Sequence, residues 1–380
     1  MQVESATITR GSKREAISRS KRESYRIVDT DIHPNLPEGF TSLLEYMPKG
    51  WQKQFENKGH FASSVPLMGR FAMPFGKGQR GDVITPGGGP AASDPEWVAH
   101  DLFDEWGIDG GFIYNLQTGQ QSNIMNSPDE SVVIARAGNE FYAERWLSAD
   151  PRYMMVMHIT PQDPVASAAE IRRFGQNPRV GAVALSPINI LFGNRHFWPI
   201  YEACQELDLP IYSHVITTQF QYQGTPAICG GQAESHPEYR SLLGQIAESN
   251  VNSLVWTGTF ERFPALKFLF VEYSFAWALP LMWEMDRNFY NEREATPWLK
   301  KRPSEYVHSN IRFSTQPLIE PPDDHLYQMI DMMGSDLLMF SSDYPHFDND
   351  PPDEVLRGLS DEDRRAIFVN NALDGFRVPA

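Results

Sequence analysis

Apolar residues in this chain gather in short runs separated by longer amphipathic stretches. Eight runs stand out: Arg26–Asp31, Gly111–Tyr114, Tyr153–Ile159, Gly181–Leu185, Leu209–His214, Phe268–Glu272, Ile311–Thr315 and Leu337–Ser342. Short continuous apolar runs bounded by polar residues are the pattern of strands buried on both faces of a parallel sheet. Between them the spacing of apolar residues becomes helical, over Pro164–Arg173, Trp198–Leu207, Tyr239–Val255, Trp277–Tyr290 and Asp361–Asn371. Alternation of strand and helix implies parallel pairing, because a parallel neighbour needs a crossover connection. Eight such units predict an α/β chain folded as a (β/α)8 TIM barrel. The competing doubly wound sheet would carry a Gly-rich phosphate loop after an early strand, and none of the runs is followed by one.

Residues 1–24 carry Arg10, Lys13, Arg14, Arg19, Lys21 and Arg22 without an apolar segment and are expected to form a mobile arm. Residues 25–380 are expected to form the barrel. The connection between the first two runs is far longer than one helix needs, so 46–100 reads as an insertion. Within it, Met68, Phe71, Met73 and Phe75 precede Gly87-Gly88-Gly89-Pro90, a composition that suits either an exposed excursion or a lid over the barrel mouth.

Composition narrows the partners. A formal net charge of −16 over 380 residues makes approach to nucleic acid or an anionic membrane repulsive. No apolar run is long enough to cross a bilayer. Two cysteines, Cys204 and Cys229, are too few for a disulfide framework, so a reducing cytoplasm is the expected location and a small molecule the expected partner.

Chemistry concentrates where strands end. The first run leads into Asp29-Thr30-Asp31-Ile32-His33-Pro34, and the last into Ser341-Ser342-Asp343-Tyr344-Pro345-His346. Residues two apart on a strand point the same way, so Asp31 and His33 share a side. In a closed barrel the first and last strands are neighbours, which brings Asp343 to the same place. His214 ends the fifth run and Glu272 the sixth, on the same rim. Two carboxylates and two imidazoles suit one divalent cation with open positions for water or substrate, Zn2+ first and Mn2+ second. Taken singly, each histidine is also compatible with an ordinary hydrogen-bonded core residue.

These segments resemble the amidohydrolase superfamily, in particular the amidohydrolase-2 group of TIM-barrel metal-dependent hydrolases, from about Tyr25 to Phe376. That group also includes aminocarboxymuconate semialdehyde and hydroxybenzoate-type decarboxylases. Ser341–His346 is very close to the group's S-S-D-Y-P-H ending, and Thr259–Lys267 (TFERFPALK) is similar to its lead into strand six. Asp29–Pro34 and Leu209–His214 look like its first- and fifth-strand motifs. The resemblance implies that Asp31, His33, His214 and Asp343 are metal ligands, and that the protein is a homodimer. Two departures matter. Binuclear members carry a carboxylated Lys after strand four, where this chain reads Ala184-Leu185-Ser186-Pro187, so one metal is expected. Characterised decarboxylases often have His where this chain has Glu272, which tilts the expectation towards hydrolysis.

The resulting expectation is a metal-dependent hydrolase of a small amide, lactone or C–C substrate, with Asp343 moving the proton of a metal-activated water and His214 or Glu272 positioning the electrophile. The alternative is non-oxidative decarboxylation of an aromatic or unsaturated acid, with Asp343 protonating the carbon that loses CO2. A barrel that binds metal without catalysis is the third reading. The two reactions differ beyond the ligands: a decarboxylase should offer a cation or His to the departing carboxylate. His236 is a candidate acid/base group. His158, Asn189, Arg195, Trp277, Gln316 and His346 are candidate substrate neighbours, all placed at or after strand ends.

Overall fold

The structure is a computed structural model that describes residues 26–57, 78–83, 85–125, 127–215, 233–319, 321 and 325–379. The expected arm 1–24, the Met68–Phe75 part of the insertion and Cys229 lie outside the described residues.

All eight apolar runs are strands: β1 (Val28–Ile32), β2 (Gly110–Ile113), β3 (Tyr153–His158), β4 (Val180–Ala184), β5 (Ile211–His214), β6 (Phe268–Val271), β7 (Ile311–Ser314) and β8 (Leu338–Met339). They form one sheet in sequential order, and each strand pairs in parallel with the next. The sheet closes where the end of the chain returns to β1. The Thr30 amide donates to the Phe340 carbonyl at 3.2 Å, Ile32 bridges Tyr344, and the His33 amide donates to the Tyr344 carbonyl at 2.7 Å. The molecule is a (β/α)8 barrel.

Two helices depart from the sequence reading. Tyr239–Val255 is not one helix but two, His236–Ser241 and Leu243–Trp256, because Leu242 takes a non-helical conformation between them. The closing helix starts at Asp361 as expected but widens into a π turn over Ala366–Asn370 and runs on through Asn371–Gly375, past its expected end at Asn371. The helices over Pro164–Phe174, Trp198–Glu206 and Ala278–Asn291 lie within a residue of their expected bounds.

Side chains alternate between two cores, as strands require. The lumen holds Phe112, Tyr114, Val156, Ala182, Ala184, Tyr212, Leu269, Val271 and Met339, and a much larger cluster packs between strands and helices. Gly181 leaves the lumen room for Phe112, since a Cβ there would lie 2.3 Å from its ring. The C-terminal segment plugs the lower end: Phe376 stacks on Phe112 at 3.8 Å, and the Arg377 guanidinium donates to the Asn177 and Val180 carbonyls. Chemistry is thereby left to the upper end, where the strands terminate. The returning part of the insertion runs along that rim, with Gln79 bridging His346 and the Arg80 amide donating to the Pro345 carbonyl at 2.9 Å.

Candidate metal centre

Four strand ends deliver one cluster. Asp31 is in β1 and His33 just beyond it, His214 ends β5, Glu272 follows β6, and Asp343 follows β8. Asp31, His33, His214 and Glu272 form one buried group with mutually close donor atoms, and His33, Asp343 and His346 form another that shares His33. His33 Nε2 lies 3.2 Å from Asp31 Oδ1 and 3.1 Å from Asp343 Oδ1. His214 Nε2 lies 3.2 Å from Asp31 Oδ2 and 3.3 Å from Glu272 Oε2.

The other ring nitrogen of each histidine decides what this geometry means. His33 Nδ1 faces the Tyr114 carbonyl at 2.9 Å, and His214 Nδ1 faces the Val215 carbonyl. A carbonyl can only accept, so both Nδ1 atoms carry protons and Nε2 of each ring is left to meet the carboxylates. Each Nε2 lies against carboxylate oxygens, a contact that either a proton on the nitrogen or a metal cation between the two makes attractive. His33 Nε2 makes no aligned hydrogen bond despite being buried. A metal-binding imidazole commonly donates its other ring N–H to a backbone carbonyl, as both rings do here. The donor set therefore fits one divalent cation. With Nδ1 of His33 occupied, its single free nitrogen makes the two groups share one ion, and no lysine replaces Ala184–Pro187 to hold a second.

Protons partly substitute for that charge. Burial opposes charging His33, yet the neighbouring Asp31 carboxylate, helped by Asp343, holds it well above the ordinary imidazole range. Burial would likewise raise Asp31, but the attraction of His33 and then His214 keeps it well below the usual carboxylate range. Asp343 is brought down to about 2, because the charge of His346, helped by His33, outweighs burial. Glu272 goes the other way, to about 7, through burial and then the negative Asp343, against the pull of Arg240. Cation binding would displace protons from such a site.

Neighbouring groups hold the carboxylates. Tyr212 Oη donates to Asp31 Oδ1 at 2.6 Å, Gln316 Nε2 donates to Asp343 Oδ2 at 2.9 Å, and His346 Nδ1 donates to Asp343 Oδ1. Arg240 donates to Glu272 Oε1 through Nη1 and to Asp348 through Nη2. Glu272 and Asp343 both sit at positive φ, +60° and +58°. Non-glycine residues reach that region only when their surroundings over-determine them, and such strain concentrates at functional sites.

Gln316 and His346 thus join the cluster, and Glu272 lies closer to the proposed ligands than its sequence role implied. His158 ends β3 on the lumen side, buried, with Nδ1 unpartnered; burial pushes its pKa down to about 3, so the ring is neutral. His236 is half-buried on the rim beside Phe347, and burial and then the charge of Arg240 lower its pKa. The remaining candidates lie away from the cluster. Asn189 and Arg195 are exposed, Arg195 lying over the Trp198 ring. Trp277 packs edge-on against Phe313 outside the lumen, its indole donating to the Tyr273 carbonyl.

Sequence reasoning missed Tyr212 and Arg240. Tyr212 precedes His214 by two, so the strand period alone places it on the ligand face. Arg240 carries no such signal, because it reaches Glu272 from a short rim helix.

A family model described as amidohydrolase matches residues 120–378. A gamma-resorcylate decarboxylase of Polaromonas sp. is 26% identical over 299 residues, covering 73% of this chain and 86% of that protein. The structure of a 5-carboxyvanillate decarboxylase from Sphingomonas paucimobilis superposes with a TM-score of 0.65 at 21% identity, covering 94% of this chain and 100% of the other. A dihydroxybenzoic acid decarboxylase from Polaromonas sp. JS666, with bound manganese and 2-nitroresorcinol, gives a TM-score of 0.60 at 19% identity, covering 92% and 96%. The two structural likenesses carry the barrel fold. Because the family match runs over well more than half of its length, the chain belongs to the amidohydrolase family.

Proposed function

We propose that this protein is a metal-dependent, non-oxidative decarboxylase of hydroxyaryl carboxylic acids, the alternative in the sequence reading rather than its first choice. The observation that carries the proposal is the similarity to gamma-resorcylate decarboxylase across 86% of that enzyme. The geometry adds the feature on which the two reactions differ: a largely buried guanidinium, Arg240, one carboxylate away from the cluster. Glu272, which tilted the sequence reading towards hydrolysis, is paired with that cation.

In this reading Asp31, His33, His214 and Asp343 hold the ion, with Glu272 beside them. We take Mn2+ over Zn2+, because two carboxylate ligands with a third carboxylate, Glu272, beside them make oxygen-rich surroundings and a dihydroxybenzoic acid decarboxylase of this fold holds manganese. Bound there, the ion supplies Lewis acidity towards the carboxylate and neighbouring hydroxyl of the substrate. Arg240 offsets negative charge as an anionic substrate enters. Asp343 passes to the ring carbon a proton replenished from His346; a C–H bond forms, the C–C bond to the carboxylate breaks, and its electron pair returns to the ring as CO2 leaves. A ring hydroxyl ortho or para to that carbon stabilises the protonated ring, which favours hydroxyaryl acids as substrates. A homodimer in a reducing cytoplasm completes the proposal.

The test is incubation of the Mn2+-loaded protein with dihydroxybenzoates, carboxyvanillate, aryl amides and lactones in 18O-water. CO2 release from a hydroxyaryl acid, with no 18O in the aromatic product, is expected. Cleavage of an amide or lactone with 18O incorporation and no CO2 would establish the hydrolase instead. Arg240→Gln is expected to raise KM for the acid by about 10- to 100-fold, the worth of a charge-assisted hydrogen bond. An unchanged KM would remove Arg240 from substrate binding.

A further inference from the structure

The seam of the barrel contains a buried carboxylate that touches none of the clustered donors. Asp29 in β1 is fully buried. Its Oδ1 accepts from the Ser342 amide at 2.9 Å and from the Asp31 amide at 3.1 Å, and its Oδ2 accepts from the Ser342 hydroxyl. Ser342 Oγ in turn accepts from the Tyr344 amide at 3.1 Å. One carboxylate thus grips the backbone of Asp31 directly, and the backbone on both sides of Asp343 through Ser342.

The surroundings explain why a clasp is needed there. β8 is only two residues long, so Asp343 lies beyond the regular ladder that positions the other strand ends. It also adopts a left-handed conformation, which needs outside support. Across the sheet, Gly111 of β2 packs directly on Asp29: a Cβ there would lie 2.9 Å from its carbonyl oxygen and 3.1 Å from its Cβ. Asp29 is therefore held from behind while it holds two donor-bearing segments in front.

We propose that Asp29 and Ser342 are positioning residues that set the distance between the Asp31–His33 and Asp343 donors, and so the affinity for the divalent ion. The proposal rests on the metal-centre reading above. Outer-shell partners of this kind are typically worth about 10- to 100-fold in metal affinity.

Mn2+ alone is the probe, titrated into full-length protein by electron paramagnetic resonance, alongside thermal unfolding of the metal-free forms. Ser342→Ala keeps the backbone bond to Asp29 but loses both hydroxyl contacts. Asp29→Asn keeps one acceptor oxygen and loses the other. Each is expected to weaken Mn2+ binding at least tenfold, and Ser342→Thr, which keeps the hydroxyl, to restore it. Equal Mn2+ affinity in wild type and Ser342→Ala, with only a lower metal-free Tm, would overturn the proposal and leave a structural seam. Failure of the wild type to bind Mn2+ would instead overturn the metal centre itself. If Asp29→Asn does not fold, the Ser342 pair decides alone.

Discussion

Replacing Asp343 with Asn should lower the rate of CO2 release by about 10³-fold, within the range that a positioned proton donor contributes. The amide keeps the shape of the carboxylate and can still meet Gln316 and His346, so the fold should survive. Asn cannot take a proton from His346 and pass it to carbon. It also makes a poorer metal ligand, so the rate must be measured at saturating Mn2+ with occupancy determined in the same sample. Circular dichroism should be unchanged. A variant retaining more than about a tenth of the wild-type rate at full occupancy would remove Asp343 as the proton donor.

Chelation is the second large effect. Activity should fall to background and return on adding Mn2+, because no side chain among the described residues supplies equivalent Lewis acidity. Stability should change as well, since an ion that binds only the folded state adds about 2.7 kcal/mol when present at 100 times its Kd. That corresponds to a few degrees in Tm for a domain of this size. His33→Ala should abolish both responses, because His33 Nε2 is the atom shared by the two donor groups. Purified protein holding less than about half an equivalent of metal, with a Tm indifferent to chelation, would sink the metalloenzyme reading.

Much of the site was legible because its chemistry obeys local periods. Asp31 and His33 share a face through the two-residue strand repeat, and His214 and Glu272 follow apolar runs whose ends could be located within a residue. Gln316 and His346 were legible for the same reason, as polar residues just past strand ends. Asn189 and Arg195 share that sequence position yet are exposed, because a loop can turn its side chains either way once the strand ends. Trp277 is set by helix packing outside the lumen. Tyr239–Val255 read as one helix because its apolar spacing continues through Leu242, where the backbone breaks.

The sequence by itself determined the order of strands and helices, the barrel they imply, the residues at the strand ends and the absence of a second-metal lysine. Each is a property of spacing along the chain, and alternation with periods of 2 and 3.6 survives folding. Only the tertiary structure decided what those residues do to one another. It fixed both imidazoles through carbonyls so that Nε2 faces the carboxylates, drew Glu272 into the cluster, brought Arg240 to Glu272 and Asp348, and placed Asp29 across the closing seam. Apart from the His214–Val215 contact between chain neighbours, these join segments 32 to 313 residues apart in sequence. Their geometry depends on how the barrel closes and where its loops return, and no local period encodes that.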